Sequence, residues 1–204
     1  EYKEIERSII KKFRKDIWSL FVKAVSEFNL IEENDKIAIG ISGGKDSLTL
    51  LYALAGIRNF YQVPFEICAV TVDLGWNNIG RPMDLTNISQ LCNELNVDYH
   101  IIKTDIAQIV FEERKEANPC SLCAKMRKGA LNEAIKELGC NKVAYAHHKD
   151  DVVETMLLSL MYEGRFHTFA PVTYLERKDI TVIRPLIYAP EKDIVYFSKN
   201  VNLL

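Results

Sequence analysis

Three short stretches of this sequence place reactive residue types at spacings that can do chemistry. The first is Gly40-Ile41-Ser42-Gly43-Gly44-Lys45-Asp46-Ser47. Its glycines let a backbone turn tightly and bring N–H groups against an oxyanion. Lys45 adds a mobile positive charge, and Ser42 and Ser47 add hydroxyl donors. Asp46 repels a phosphate on its own, but fits one if a Mg2+ lies between its carboxylate and the phosphate oxygens. The second stretch is His147-His148-Lys149-Asp150-Asp151. Asp151, or Asp150 beside it, could share that cation with Asp46, and either histidine could bind phosphate or move a proton. The bland alternative is a helix start, where acids are favoured anyway. The third is Pro119-Cys120-Ser121-Leu122-Cys123, leading into the basic run Lys125, Arg127 and Lys128. Residues three apart share a helix face, so both sulfurs could reach one metal or cluster, and the nearby cations favour thiolates. A metal site, a redox pair and two buried thiols all remain open for a lone C-x-x-C.

These stretches need elements to hold them. Lys36 to Ile41 is a short apolar run that reads as a buried strand, and Asp46 to Phe60 is helix-periodic. Phe65 to Val72, ending at Asp73, predicts a second strand and Val97 to Ile102 a third. Val143 to Ala146 predicts a fourth strand, with a helix following through Tyr162. Ile180 to Arg184 predicts a fifth. Helices are expected over Pro82 to Leu95, Asp105 to Ala117, Cys120 to Leu138 and Pro190 to Lys199. Ile5, Ile9, Ile10, Phe13, Ile17, Leu20, Phe21, Ala24 and Phe28 form one stripe of an N-terminal helix. This alternation implies an α/β fold: a doubly wound, mainly parallel, five-stranded sheet with helices on both faces. It divides into an N-terminal helical extension, 1–35, and a nucleotide-binding unit, 36–204. Ligands of such sheets bind beyond the carboxyl ends of the strands, where the phosphate loop, Asp73 and His147 to Asp151 should converge.

Composition sets the outer bounds. With 204 residues, 48% hydrophobic and 26% charged, the chain can build a core without disulfide staples. No stretch approaches the roughly 18 apolar residues of a membrane span, and no signal-like region opens the sequence, so a cytoplasmic protein without membrane contact is expected. A net charge of −2 neither demands nor excludes a nucleic-acid partner.

The first motif is neither the G-x-x-x-x-G-K-[ST] nor the G-x-G-x-x-G phosphate loop. Ser-Gly-Gly-Lys-Asp-Ser after a first strand resembles the signature of the PP-loop (N-type) ATP pyrophosphatases, which have an adenine nucleotide alpha-hydrolase-like fold. Four later segments narrow the resemblance: Val72-Asp73-Leu74-Gly75-Trp76, Pro119-Cys120-Ser121-Leu122-Cys123, Ala146 to Asp151, and Ile183-Arg184-Pro185-Leu186. The series is similar to the tRNA 2-thiocytidine synthetases and their 2-thiouridine-forming relatives, from about Lys36 onward.

The resemblance implies a function. ATP, bound by Ile41, Ser42, Gly43, Gly44, Lys45, Asp46, Ser47, Asp73, His147 and Arg184, adenylates the C2 oxygen of a tRNA pyrimidine, most simply cytidine, and pyrophosphate leaves. Lys45, Asp46 and Asp151 are the implied catalytic residues, with Mg2+ on Asp46 and Asp151. Sulfur then displaces AMP, with Cys120 and Cys123 as catalytic ligands of a 4Fe-4S cluster. The basic run lies near the tRNA, and Arg184 near the nucleotide or the RNA. Sulfide or a sulfur-donor protein supplies the sulfur, and a homodimer is the implied assembly. A further cluster cysteine is implied downstream of Leu204, a place that Cys68, Cys92 and Cys140 do not occupy. Two other readings remain open: a PP-loop ligase with a nitrogen nucleophile, such as a lysidine synthase or an amide-forming synthetase, and a nucleotide-binding module without catalysis.

Overall fold

The computed structural model describes residues 2–76, 84–113 and 119–203. Among them the six strands β1 (Lys36–Gly40), β2 (Glu66–Asp73), β3 (Asp98–Lys103), β4 (Lys142–Ala144), β5 (Val172–Leu175) and β6 (Ile180–Ile183) form one sheet. Their order is β3-β2-β1-β4-β6-β5, and only the β5–β6 pairing is antiparallel. The chain builds outward from β1 to β3, then returns to place β4 on the other side of β1.

The five strands expected from sequence are all present, but the count of five is corrected to six. Val172-Thr173-Tyr174-Leu175 is a four-residue edge strand, joined to β6 by a turn in which Asp179 adopts φ +52°. Edge strands this short carry little pattern, and this one is held by its hairpin partner rather than by apolar alternation.

Eight α-helical segments are described: α1 (Tyr2–Lys11), α2 (Ser19–Glu27), α3 (Lys45–Arg58), α4 (Thr86–Glu94), α5 (Ile106–Gln108), α6 (Pro119–Glu137), α7 (Lys149–Glu163) and α8 (Glu191–Val201). The starting residues Pro82 and Met83 of one expected helix and the end of another at 114–117 lie outside the described residues. The single N-terminal helix expected from sequence is instead two helices joined by a π-helical turn over Arg14–Trp18. The reason is in the stripe itself. Ile5, Ile9, Phe13, Ile17 and Phe21 are all buried at four-residue intervals. Each such step overshoots an α-helical turn by about 40°, so a straight α-helix would carry the stripe off the core. A π turn, with its wider i→i+5 spacing, brings it back.

Strand alternation splits the core in two. Ile37 and Ile39 of β1 face a cluster built from α1, α2, α3, α4 and α8, while Ala38 faces the cluster under α5 and α6. Phe13 packs edge-on to Phe197 with ring centroids 5.1 Å apart, tying the first helical segment to the last. At the amino end of the sheet, buried Lys142 is paired with buried Asp35 and with Glu32, at 2.7 Å each. None of the described helices is long and apolar enough to cross a membrane.

Because Phe21 is fully buried in the same cluster as α3, Phe21→Ala should lower stability by about 3–5 kcal/mol. Urea unfolding should still show one transition by both far-ultraviolet dichroism and tryptophan fluorescence; two transitions would mean that the N-terminal helices fold apart from the sheet.

Candidate active site

The strand-to-helix turn after β1 is set by backbone conformation. Ile41 continues the ladder by donating its N–H to Val70 O at 2.9 Å, and its own carbonyl accepts from Thr71 Oγ1 at 3.0 Å. Gly43 then adopts φ +79°, which a side chain would strain; a Cβ there would meet only Ile88 at 3.7 Å, so conformation rather than space demands glycine. Ser47 Oγ donates to Gly44 O at 2.9 Å and accepts from Ser42 N at 3.3 Å, which closes the loop on itself. Gly44 is the N-cap of α3 and has no side chain to close the helix end. The first N–H groups of α3 are thereby left for an external acceptor, at the positive end of the helix.

Charged side chains crowd this helix start. Lys45 Nζ lies 3.1 Å from Asp46 Oδ2 and 3.0 Å from Glu191 Oε1, at the first residue of α8. Burial pulls the Lys45 pKa down, but its hydrogen bonds to Glu191 and Asp46, with their charges, raise it overall. Asp46 Oδ1 is shielded from solvent, makes no hydrogen bond and sits 3.9 Å from Nε2 of His148. On the other side of that ring, Asp151 Oδ2 lies 3.4 Å from Nδ1 and accepts the His148 backbone N–H at 2.8 Å. Asp150 Oδ2 lies farther from the same nitrogen, at 3.8 Å, and accepts the backbone N–H of Glu191 at 2.6 Å. Asp46 and Asp151 therefore flank one imidazole. An unpartnered carboxylate oxygen beside an open phosphate loop suits a hard, oxygen-seeking cation.

Next to the loop opens a cavity of about 360 Å3. Its walls are the ends of β1 and β2 (Ile41, Ser42, Thr71), the start of the segment after β4 (Tyr145, His147), and α6. Ala124, Arg127, Lys128 and Leu131 of α6 line it. That is a helical stripe, and Cys120 and Cys123 continue it by one turn toward the start of α6. Cys120 is exposed and Cys123 half-buried. Two thiols on one face near a helix N-terminus and a basic run suit iron, as two of the ligands of a cluster. No group of three or more such ligands is present among the described residues. The remaining cysteines are buried: Cys68 and Cys140 sit with sulfurs 3.5 Å apart, and burial pushes Cys92 up to about 12.

Two residues expected at the nucleotide face other ways. Asp73 Oδ1 accepts the N–H of Gly75 at 2.9 Å and is absent from the cavity wall. Arg184 is buried, its guanidinium donating to Ala170 O at 2.5 Å, Thr173 Oγ1 at 3.1 Å and His147 Nδ1 at 3.3 Å. It stacks over Phe169 at 4.8 Å. Arg184 thus reaches the cavity only through His147. Burial, then the Arg184 charge, lowers the His147 pKa, and Nδ1 as acceptor leaves the ring proton on Nε2.

A PP-loop domain profile matches residues 10–203. This chain belongs to the PP-loop family. The tRNA-cytidine(32) 2-sulfurtransferase of Citrifermentans bemidjiense is 40% identical over 179 residues, 87% of this chain and 69% of that protein. The protein of the same name from Geotalea daltonii is 38% identical over 197 residues, 96% of this chain and 75% of that one. Among solved structures, the U34-tRNA thiolase NcsA of Methanococcus maripaludis with its [4Fe-4S] cluster superposes with a TM-score of 0.70 at 26% identity. That match covers 91% of this chain and 63% of the thiolase. The match extends the PP-loop α/β fold read from sequence to a protein that carries such a cluster.

Glu191 and Tyr145 are the site residues that sequence reasoning missed. Glu191 read as an ordinary acid in a helix first turn, 146 positions from Lys45. Tyr145, whose hydroxyl is buried without a partner and whose pKa burial raises, lay inside an apolar strand exit. No local pattern marks such contacts.

The depressed His147 pKa has a pH consequence. The unfolded chain, with histidine near pH 6.5, takes up a proton before the folded one does, so this residue costs stability as pH falls through and below about 6.5. Urea midpoints on either side of that pH should fall more for the wild type than for His147→Gln; equal falls would mean that His147 titrates normally in the folded state.

Proposed function

We propose that this chain is the ATP-dependent, pyrophosphate-releasing part of a tRNA sulfurtransferase acting on cytidine. The observation that supports it best is the shared cavity. Ser42 of the phosphate loop lines one wall, and Ala124, next to Cys123, lines the other. A nucleotide whose phosphates sit on the open end of α3 and a sulfur held at the start of α6 would meet in one space. Residues 36–204 carry this chemistry, with residues 1–35 docked as an extension.

The roles follow from the geometry. The backbone at Ile41 and Thr71 would hold adenosine beside the loop, and Ser42 to Ser47 would cradle the β and γ phosphates. The C2 oxygen of the base attacks the α phosphorus, the bond to the bridging oxygen breaks, and pyrophosphate leaves. Lys45 and the open N–H groups stabilise the charge that develops on it, which is mainly electrostatic work by prearranged donors. Asp46 and Asp151 would hold Mg2+, which neutralises phosphate charge. Nε2–H of neutral His147 faces the cavity as a donor. Arg127 and Lys128 would draw the RNA backbone toward it. Cys120 and Cys123 would be two ligands of a 4Fe-4S cluster, which supplies a place for sulfur when bound. Sulfur attack at C2 then expels AMP. Sulfide or a donor protein is the sulfur source, the assembly is a homodimer, and the setting is the cytoplasm, where tRNA and ATP are found.

Two substitutions separate the half-reactions. Asp46→Ala should cut tRNA-dependent release of AMP and pyrophosphate by about two to three orders of magnitude, with a normal thermal transition. Normal pyrophosphate release by that variant would refute the assignment of the loop. Cys120→Ser, in protein purified without oxygen, should abolish 2-thiocytidine in tRNA digests yet leave ATP–pyrophosphate exchange within about twofold. Equal loss of both activities would make the cysteines structural.

A further inference from the structure

Lys45 is held by an acid from the far end of the chain. Glu191 Oε1 stands 3.0 Å from Lys45 Nζ, opposite Asp46 Oδ2 at 3.1 Å. Glu191 does not hang free. Its backbone N–H is bound by Asp150 Oδ2 at 2.6 Å, and two residues earlier Ala189 O accepts the N–H of Lys149 at 3.0 Å. Two hydrogen bonds thus stitch the start of α8 to the start of α7, beside the start of α3. Pro190, the N-cap of α8, fixes the backbone at φ −69°, ψ 142° and directs the helix into this junction.

The geometry points to Glu191 as a positioning residue for Lys45. A lysine is a point charge on a flexible stem, and its value to a transferring phosphate depends on where the ammonium is held. Asp46 alone is a weak anchor, because a cation on its Oδ1 would draw off the same carboxylate. Glu191 supplies a second anchor from another helix, and Asp150 holds that anchor in place. The two acids divide the work: Asp150 takes the Glu191 backbone N–H and Asp151 that of His148. The simpler view of Glu191, an acid compensating the α8 dipole, explains its place in the first turn but not its contact with Lys45. The inference deepens the adenylation reading and rests on it for the meaning of Lys45, though not for the contact itself.

Three measurements on wild type, Glu191→Gln and Glu191→Ala test it. The first is the rate at which an N-hydroxysuccinimide acetate labels Lys45, followed by peptide mass spectrometry. Freed of one carboxylate, Lys45 should label severalfold faster in Glu191→Ala, since its Nζ is no longer engaged and covered on that side. The second is tRNA-dependent AMP release. Glu191→Ala should lower kcat about tenfold with KM for ATP changed less than twofold, and Glu191→Gln, which keeps an acceptor oxygen, should recover much of the loss. The third is calorimetric binding of a non-hydrolysable ATP analogue, which should be nearly unchanged. Unaltered Lys45 labelling overturns the contact. Tighter analogue binding on removing Glu191 overturns it as well, by showing a carboxylate that competes with phosphate. A kcat loss that tracks lowered thermal stability, without recovery in the glutamine variant, reduces Glu191 to a structural residue. If wild type releases no AMP with any tRNA, the adenylation reading falls instead, and the labelling rates alone still decide for or against the Glu191 contact.

Discussion

The site depends on one topological constraint: β1 is the strand at which the sheet changes direction. The chain runs from β1 outward to β2 and β3, then crosses back to lay β4 on the opposite side of β1. The segments leaving β1 and β4 therefore emerge side by side at the carboxyl ends of neighbouring strands, where such sheets hold their ligands. The phosphate loop leaves β1 and the histidine–aspartate segment follows β4. Both reach the crevice because parallel strands point the same way. Had β4 been added next to β3, Asp46 and His148 would stand several strand widths apart, since neighbouring strands are about 4.8 Å apart.

Three helix starts meet at this crevice, those of α3, α7 and α8, and each brings an acid in its first turn. Taken singly, each acid complements a helix dipole. Together they surround one lysine with Asp46, Glu191 and, through the backbone, Asp150. Such a cluster is poorly matched to a bare polyphosphate and well matched to one accompanied by a cation. Asp46 Oδ1, left without a hydrogen bond, is the clearest local sign of that preference.

The second half of the site is organised by α6. One stripe of this helix lines the cavity through Arg127, Lys128 and Leu131, while Leu122 and Met126 pack against the core under the sheet. The same helix therefore anchors itself, walls the cavity and presents two thiols at its start. Arg184 plays a quieter part, tying the loop before β5 to His147, whose pKa burial lowers first and the Arg184 charge second.

Much of this was legible in the sequence, and for a physical reason. Loop conformation and helix-face spacing are local properties. The paired glycines allow a tight turn, Lys45 to Ser47 open a helix-periodic run, and Cys120 and Cys123 share a face of any helix that holds them, whatever the rest of the chain does. Four of the five parallel strands were equally plain, because strands buried on both faces read as apolar runs; β3, at the edge, has no buried residue. What tertiary structure alone decided is which polar groups are already engaged. Asp73 turned to the backbone of Gly75, Arg184 to Ala170, Thr173 and a histidine, and Asp150 to the start of α8. Glu191 reached Lys45 across 146 positions. Hydrogen bonds of side chains are allotted by proximity in space, and proximity between distant segments follows from strand order, which no local pattern encodes. The N-terminal π turn shows the same division: the four-residue stripe was in the sequence, and the flat core it must follow was not.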